Sequence, residues 1–365
     1  MPTISSIEEF IRRSRIGSVE RFGENPLIST FQISIAEFIS SGHFNGFDEE
    51  TTTGGLLGAF GATAPWCAAH YGINPSFGWI RYPKSGSSTI SESATGSDFA
   101  ILLRVGKNIA RLAVFQAKKV DGLSDNFYIH QISPAGTDKD SVPEPQFLRL
   151  RDYGEKILST LGRNDFSLPK MDWIHYLAYR RDSLNCIPIS DLAQIDLIYQ
   201  SKRAAATTGY KKAYAEAAKA EKSANRNPDN TLDSAFRISL MGKQWSKHGI
   251  KGISGSANSK HLVTLMTYGA SDLVKTPTGW LEVSTSEEAA SIVEAIRAQM
   301  DVYESIGIKG PKPTLEAAFN EWSNAKIHRK SDLINTFFSE VNRELANADM
   351  TAKLPSINPR PPGPR

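Results

Sequence analysis

Two apolar runs, residues 99–105 and 109–115, flank Gly106-Lys107-Asn108, and together they read as a β-hairpin closed near residue 107. That hairpin constrains the chain more than any other feature. If the strands pair across this turn, Asp98, just before the first run, lies opposite Gln116, just after the second. The two-residue period of a strand then sets Gln116 and Lys118 on one face. An acid, a carboxamide and an amine are therefore expected to meet where two apolar strands end.

Those residue types suit one kind of chemistry. A hard cation such as Mg2+ takes oxygen ligands, keeps several waters and is usually held by one or two carboxylates plus a substrate phosphate. Asp98 offers a carboxylate, Gln116 its amide oxygen and Ala117 its main-chain carbonyl. Lys118 is placed to orient or deprotonate an attacking water and to offset negative charge on a phosphorane. The competing structural reading has Asp98 capping a strand and residues 116–119 forming a solvated strand end. A single carboxylate is a weak anchor, so a second is expected from a helix just upstream. Asp48 suits an N-cap, and the spacing of positions 49, 53, 56 and 60 puts Glu49 on a face with Thr53, Leu56 and Phe60. Glu49 is the preferred second ligand over Glu50, although both acids could serve only the helix dipole. Pro65 is expected to end this helix.

Over roughly residues 45–182 these motifs resemble the PD-(D/E)xK, or restriction-endonuclease-like, superfamily. The resemblance rests on Glu49 in a helix, Asp98 on the second strand, Gln116-Ala117-Lys118 on the third, a helix over 146–161 and a strand over 172–180. It departs from the family pattern in Ser97, which stands for the proline of the motif, and in Gln116, which stands for the commoner acid. The fold class implied is α/β: a helix-strand-strand-strand-helix-strand core, with a mixed sheet flanked by helices. The activity implied is a Mg2+-dependent endonuclease, with Mn2+ as a substitute ion, cutting double-stranded DNA in bacterial restriction or anti-phage defence. The catalytic set carried over is Glu49, Asp98, Gln116 and Lys118, with Glu49, Asp98, Gln116 and Ala117 toward the metal. Paired cuts in a duplex favour a homodimer. Gln116 keeps open a catalytically silent nucleic-acid-binding or interaction protein of the same fold, and an RNase or a ligand-activated nuclease is a third reading.

The helix over 146–161 can be read without the family. Phe147, Leu148, Leu150, Tyr153, Ile157, Leu158 and Leu161 recur at three and four spacing, which turns Arg149, Arg151, Asp152, Glu155 and Lys156 outward. His175, within the aromatic segment 172–181, has no acid, Cys or second His at ligand spacing and is expected to be packed or hydrogen-bonded.

A chain of 365 residues exceeds one ordinary core, and the expected division is N-terminal helices over 1–45, the nuclease-like core over 46–190, a mainly helical accessory domain over 191–348 and a Pro-rich disordered tail over 349–365. Helices are expected at 7–15 and 28–39, from a Thr285/Glu288 capping box to about 305, and after 331, with short strands at 260–268 and 279–283. Two cysteines far apart suggest neither a disulfide framework nor a zinc site. No apolar run approaches a membrane span and residues 1–15 lack a signal-peptide core, so a cytoplasmic protein is expected. P-loop, dinucleotide-binding and serine-hydrolase motifs are absent from the sequence.

A net charge of +3 permits nucleic-acid binding without arguing for it, so local clusters carry more weight. An Ala-rich helical stretch holds Lys202, Arg203, Lys211, Lys212, Lys219, Lys222 and Arg226, with Tyr210 and Tyr214 four apart. Interleaved Glu216 and Glu221 also fit a plain solvated helix. Lys119, Lys211, Lys212, Lys219 and Lys251 are the expected nucleic-acid contacts, the last from a basic run, Lys243, Lys247, His248, Lys251 and Lys260, that surrounds a Gly/Ser-rich loop over 249–259. The accessory half is also the expected seat of any partner or activator.

Overall fold

The structure is a computed structural model and describes residues 21–41, 47–72, 77–82, 92–106, 109–120, 127–129, 131–133, 142–180, 183–246, 258–283, 288 and 291–292. The expected helices at 7–15 and after 331, the basic loop around Lys251 and the Pro-rich tail lie outside them; of the helix expected over 285–305 only residues 288 and 291–292 lie within them, and these are helical.

Everything is arranged around one long strand, β3 (Ile109–Lys119). On one edge it pairs antiparallel with β2 (Phe99–Gly106), in the register Phe99↔Phe115 to Leu103↔Arg111, and β2 in turn pairs with β1 (Phe77–Arg81). On the other edge its second half runs parallel to β6 (Ile174–Arg180), while its first half pairs antiparallel with β9 (Leu281–Val283). The sheet continues through β7 (Ser183–Pro188) to β8 (Lys260–His261), and a separate two-stranded ribbon joins β4 (Ile132–Ser133) to β5 (Glu144–Pro145). Among the described residues the fold is therefore α/β, with a mixed seven-stranded sheet flanked by helices.

Alternation along β3 assigns its side chains to two cores. Ala110, Leu112 and Val114 join the cluster that includes Phe147, Leu150 and Ile157 of α4 (Gln146–Thr160), Tyr199 of α5 (Ala193–Ser223) and Trp245 of α7 (Ser234–Ser246). Ala113, Phe115 and Ala117 face the other way, onto Phe31 of α1 (Pro26–Ser40), Leu56 and Phe60 of α2 (Glu49–Tyr71) and Leu265 of α8 (Leu262–Ala270). Two short helices, α3 (Glu92–Thr95) and α6 (Pro228–Thr231), also lie among the described residues.

Several expectations change. Pro65 does not end α2; the helix carries it internally and stops at Gly72, whose φ of 65° gives the left-handed turn. Proline removes one backbone donor, but helix packing on the sheet outweighs that loss. Arg149 is buried rather than turned out, and desolvation lowers its pKa to about 10 against the opposing pull of the Glu144 and Asp152 carboxylates. The segment 260–268 gives only a two-residue strand before turning into α8, where the His261 side chain accepts from the Val263 N–H as an N-cap. The expected boundary at residue 190 is crossed by pairing: β8 and β9 enter the same sheet as β3, and α8 packs in the same core as α1 and α2.

Candidate active site

Sequence order places the site at the end of β3. Its even positions bury apolar side chains as far as Val114, and the same face then continues with Gln116 and Lys118, which are 0% and 5% exposed. Burying an amide and an amine at the end of an apolar row is costly unless each finds partners. Asp98 sits directly across, tied down by its own N–H donating to the Phe115 carbonyl at 2.9 Å.

Gln116 Nε2 donates to Asp98 Oδ2 at 2.6 Å and to the Ala117 carbonyl at 3.1 Å. The Ala117 N–H donates to the same Asp98 oxygen at 2.6 Å. One amide nitrogen is thus held between a carboxylate oxygen and a carbonyl oxygen, while Gln116 Oε1 is buried without a hydrogen-bond partner.

Glu49, the first residue of α2, reaches the same strand end. Its Oε1 lies 3.6 Å from Lys118 Nζ and its Oε2 accepts from the Lys119 N–H at 3.1 Å. Asp48 caps the helix by accepting from the Thr51 N–H at 2.7 Å, which fixes the direction in which the first turn enters. Glu50 is exposed. Lys118 Nζ also donates to Gln131 Oε1 at 3.3 Å, and the Gln131 carbonyl accepts from the Gln146 N–H at the start of α4 at 2.8 Å.

The expected set of Glu49, Asp98, Gln116, Ala117 and Lys118 is brought together. Lys119 lies beside it, with its ammonium donating to the Phe47 carbonyl at 3.0 Å. Lys211, Lys212 and Lys219 are exposed along α5, and Lys251 lies outside the described residues. His175 is buried and hydrogen-bonded to the Gly279 carbonyl, with burial pushing its pKa down to about 4.

Electrostatics single out Asp98. The residue keeps intermediate exposure, yet protein encloses its carboxylate, and desolvation raises its pKa well above the usual carboxylate range. Glu92 and Glu49 push it further up, whereas Lys118 and the Ala117 N–H pull it down. Glu92 is one of three neighbours that sequence reading passed over. It stands in a Ser/Gly-rich stretch without periodicity, and Gln131 and Gln146 reach the site from elements remote in the chain. Gln146 was readable only as the start of a helix.

No three His, Cys, Asp or Glu side chains form a metal-holding group among the described residues. A site of this kind must therefore draw on the amide and main-chain oxygens as well as on carboxylates. No protein-family model matches the chain, and no curated protein or solved structure matches it either. No helix among the described residues is long and apolar enough to cross a membrane.

Proposed function

We propose that the protein is a divalent-metal-dependent nuclease of the restriction-endonuclease-like kind, hydrolysing DNA phosphodiester bonds with Mg2+ or Mn2+. The observation that carries this reading is the grip on Gln116: its amide nitrogen occupies the space between Asp98 Oδ2 and the Ala117 carbonyl. Turning that amide by half a rotation would bring three oxygens together, a ligand set suited to a hard cation. The orphaned Gln116 Oε1 supports the same view, since a purely structural glutamine is expected to satisfy both ends.

Asp98, Gln116 and the Ala117 carbonyl would hold the ion, with Glu49 as the second carboxylate. Bound there, a divalent ion polarises a phosphoryl oxygen and offsets developing charge. Lys118, steered by Gln131 and Glu49, orients the attacking water and sets its own charge against the phosphorane. Lys119 and the exposed lysines of α5 would contact phosphates. With the short α3, β4 and β5 set aside, the order α2-β1-β2-β3-α4-β6 accords with the family core, and a duplex target, a homodimer and a role in restriction or anti-phage defence extend the proposal from that resemblance.

The test is nicking of supercoiled plasmid with Mg2+ or Mn2+, with EDTA as control. Metal-dependent nicking that Asp98→Ala and Lys118→Ala both abolish is the expected result; nicking that survives either substitution would contradict it. A second reading, a nucleic-acid binder without catalysis, is favoured by Gln116 in place of an acid and by the lack of a three-carboxylate group among the described residues. Binding of DNA with no cleavage under any metal would select it.

A further inference from the structure

We propose that Thr53 and Tyr179 are positioning residues for Glu49: two buried hydroxyls tie the first turn of α2 to β6 and so aim the Glu49 carboxylate at the end of β3. This rests on reading Glu49 as the second carboxylate of the cation site.

The need for such a tie is visible in the sequence of α2. Gly54 and Gly55 follow its first turn directly, and after proline glycine is the poorest helix former. Glu50 and Thr51 are exposed, so the turn gains little from burial there. A helix end of this kind frays when only local forces hold it. A metal ligand, by contrast, must be oriented by the groups behind it.

Thr53 and Tyr179 meet that need from inside the protein, at 2% and 3% exposure. Thr53 Oγ1 lies 2.8 Å from the Glu49 carbonyl and 2.8 Å from the Tyr179 hydroxyl. Chemistry fixes the direction of both bonds. The carbonyl can only accept, so Thr53 gives it its single proton, and the Tyr179 O–H donates to the Thr53 oxygen. A threonine that bonds back four residues is common in helices. Here a phenol from the sheet converts that local bond into an anchor. The anchor itself is held by strand pairing, since Tyr179 is in register with Lys119 and its carbonyl accepts from the Val120 N–H at 3.1 Å. Glu49 is therefore gripped twice. Its carbonyl is held through Thr53 by β6, and its carboxylate meets the Lys119 N–H at 3.1 Å and the Lys118 ammonium at 3.6 Å on β3.

The test is Mn2+ titration of the full-length chain, read by calorimetry and by electron paramagnetic resonance of the free ion. Tyr179→Phe and Thr53→Val each remove one hydroxyl with little change of shape, and each is expected to weaken Mn2+ binding about tenfold with unchanged circular dichroism. Thr53→Ser keeps the hydroxyl and is expected to bind within twofold of wild type. In a Glu49→Gln background, Tyr179→Phe should weaken binding by no more than a further twofold, because the phenol acts through Glu49. The same tenfold loss in that background would show a general structural role and overturn the proposal. So would wild-type affinity in Tyr179→Phe when Glu49→Gln weakens binding, and this result would leave Glu49 as a ligand. Unchanged Mn2+ binding in Glu49→Gln, or none in the wild type, would overturn both readings.

Discussion

The two ends of β3 bury charge in opposite ways. Near the start, Arg111 is 1% exposed, and its guanidinium donates to the carbonyls of Gly269, Ser271 and Val274 and to Glu282. Near the finish, Gln116 leaves an oxygen orphaned, Lys118 meets Glu49 only at 3.6 Å, and Asp98 sits among acids that oppose its ionisation. The first arrangement is complete and ties β3 to the chain around α8 and β9. The second is incomplete as the chain stands alone. Along one strand, full satisfaction of buried polar groups marks structure, and the unsatisfied end is the one at which a ligand is proposed.

The sharpest way to break this comparison is at the satisfied end. Arg111→Met strips the carbonyls of their donor and leaves Glu282 without its partner, so it should lower unfolding free energy by about 3–5 kcal/mol, read by urea denaturation. A loss below about 1 kcal/mol would show that the knot is dispensable. Gly96→Ala should cost about 2–3 kcal/mol, since the new methyl meets backbone atoms and a positive φ, and it should also weaken Mn2+ binding by displacing Asp98. Loss of stability with normal metal binding would separate Gly96 from the site.

At the frustrated end the sign reverses. Asp98 has a folded pKa above its unfolded value, so its contribution is fully present below about pH 4 and is lost as pH rises through the raised folded value. Asp98→Asn should therefore stabilise the metal-free protein near pH 7 by about 0.5–2 kcal/mol, while abolishing activity. Destabilisation by this substitution would mean that the carboxylate is structural. His175 and His261 behave in the opposite sense: both are held near a pKa of about 4, so stability is complete above about pH 6.5 and is lost as pH falls through about 4. Thermal midpoints across pH 4–8 check the two slopes, which should pull in opposite directions. The smallest effect is expected for Glu282→Gln, about 1 kcal/mol or less, because three carbonyls still hold Arg111 and Glu282 is partly exposed.

The frustrated end was more legible in the sequence than the satisfied one. Strand periodicity and an expected turn near residue 107 put Asp98 opposite Gln116 because the hairpin is local, and the pairing from Phe99↔Phe115 to Arg104↔Ala110 keeps that register even though an irregularity between Arg104 and Gly106 shifts it at the turn end. The Arg111 knot depends on β9 and α8, more than 150 residues away in the chain, and no local pattern announces such pairing. The mainly helical reading after residue 190 fits α5 and α7, and the short strands expected at 260–268 and 279–283 appear as β8 and β9, but no local pattern announces that strands of two or three residues join the sheet of β3. Arg149 sits at a helical position that the period assigns to the surface, but it is buried, with the Glu144 and Asp152 carboxylates favouring its charge and Arg203 of α5 opposing it. Glu92 gave no pattern at all; only the close packing at Gly96 places it beside the site.

The central claim is that the Gln116 amide stands in for a cation. Crystals grown with and without Mn2+ test it most directly, because manganese is visible by anomalous scattering. The account predicts an anomalous peak within about 2.6 Å of an Asp98 oxygen, with the Gln116 amide turned so that Oε1 faces the ion. Well-ordered Mn2+-soaked crystals with no peak there, and with Gln116 Nε2 still seated on Asp98, would contradict it.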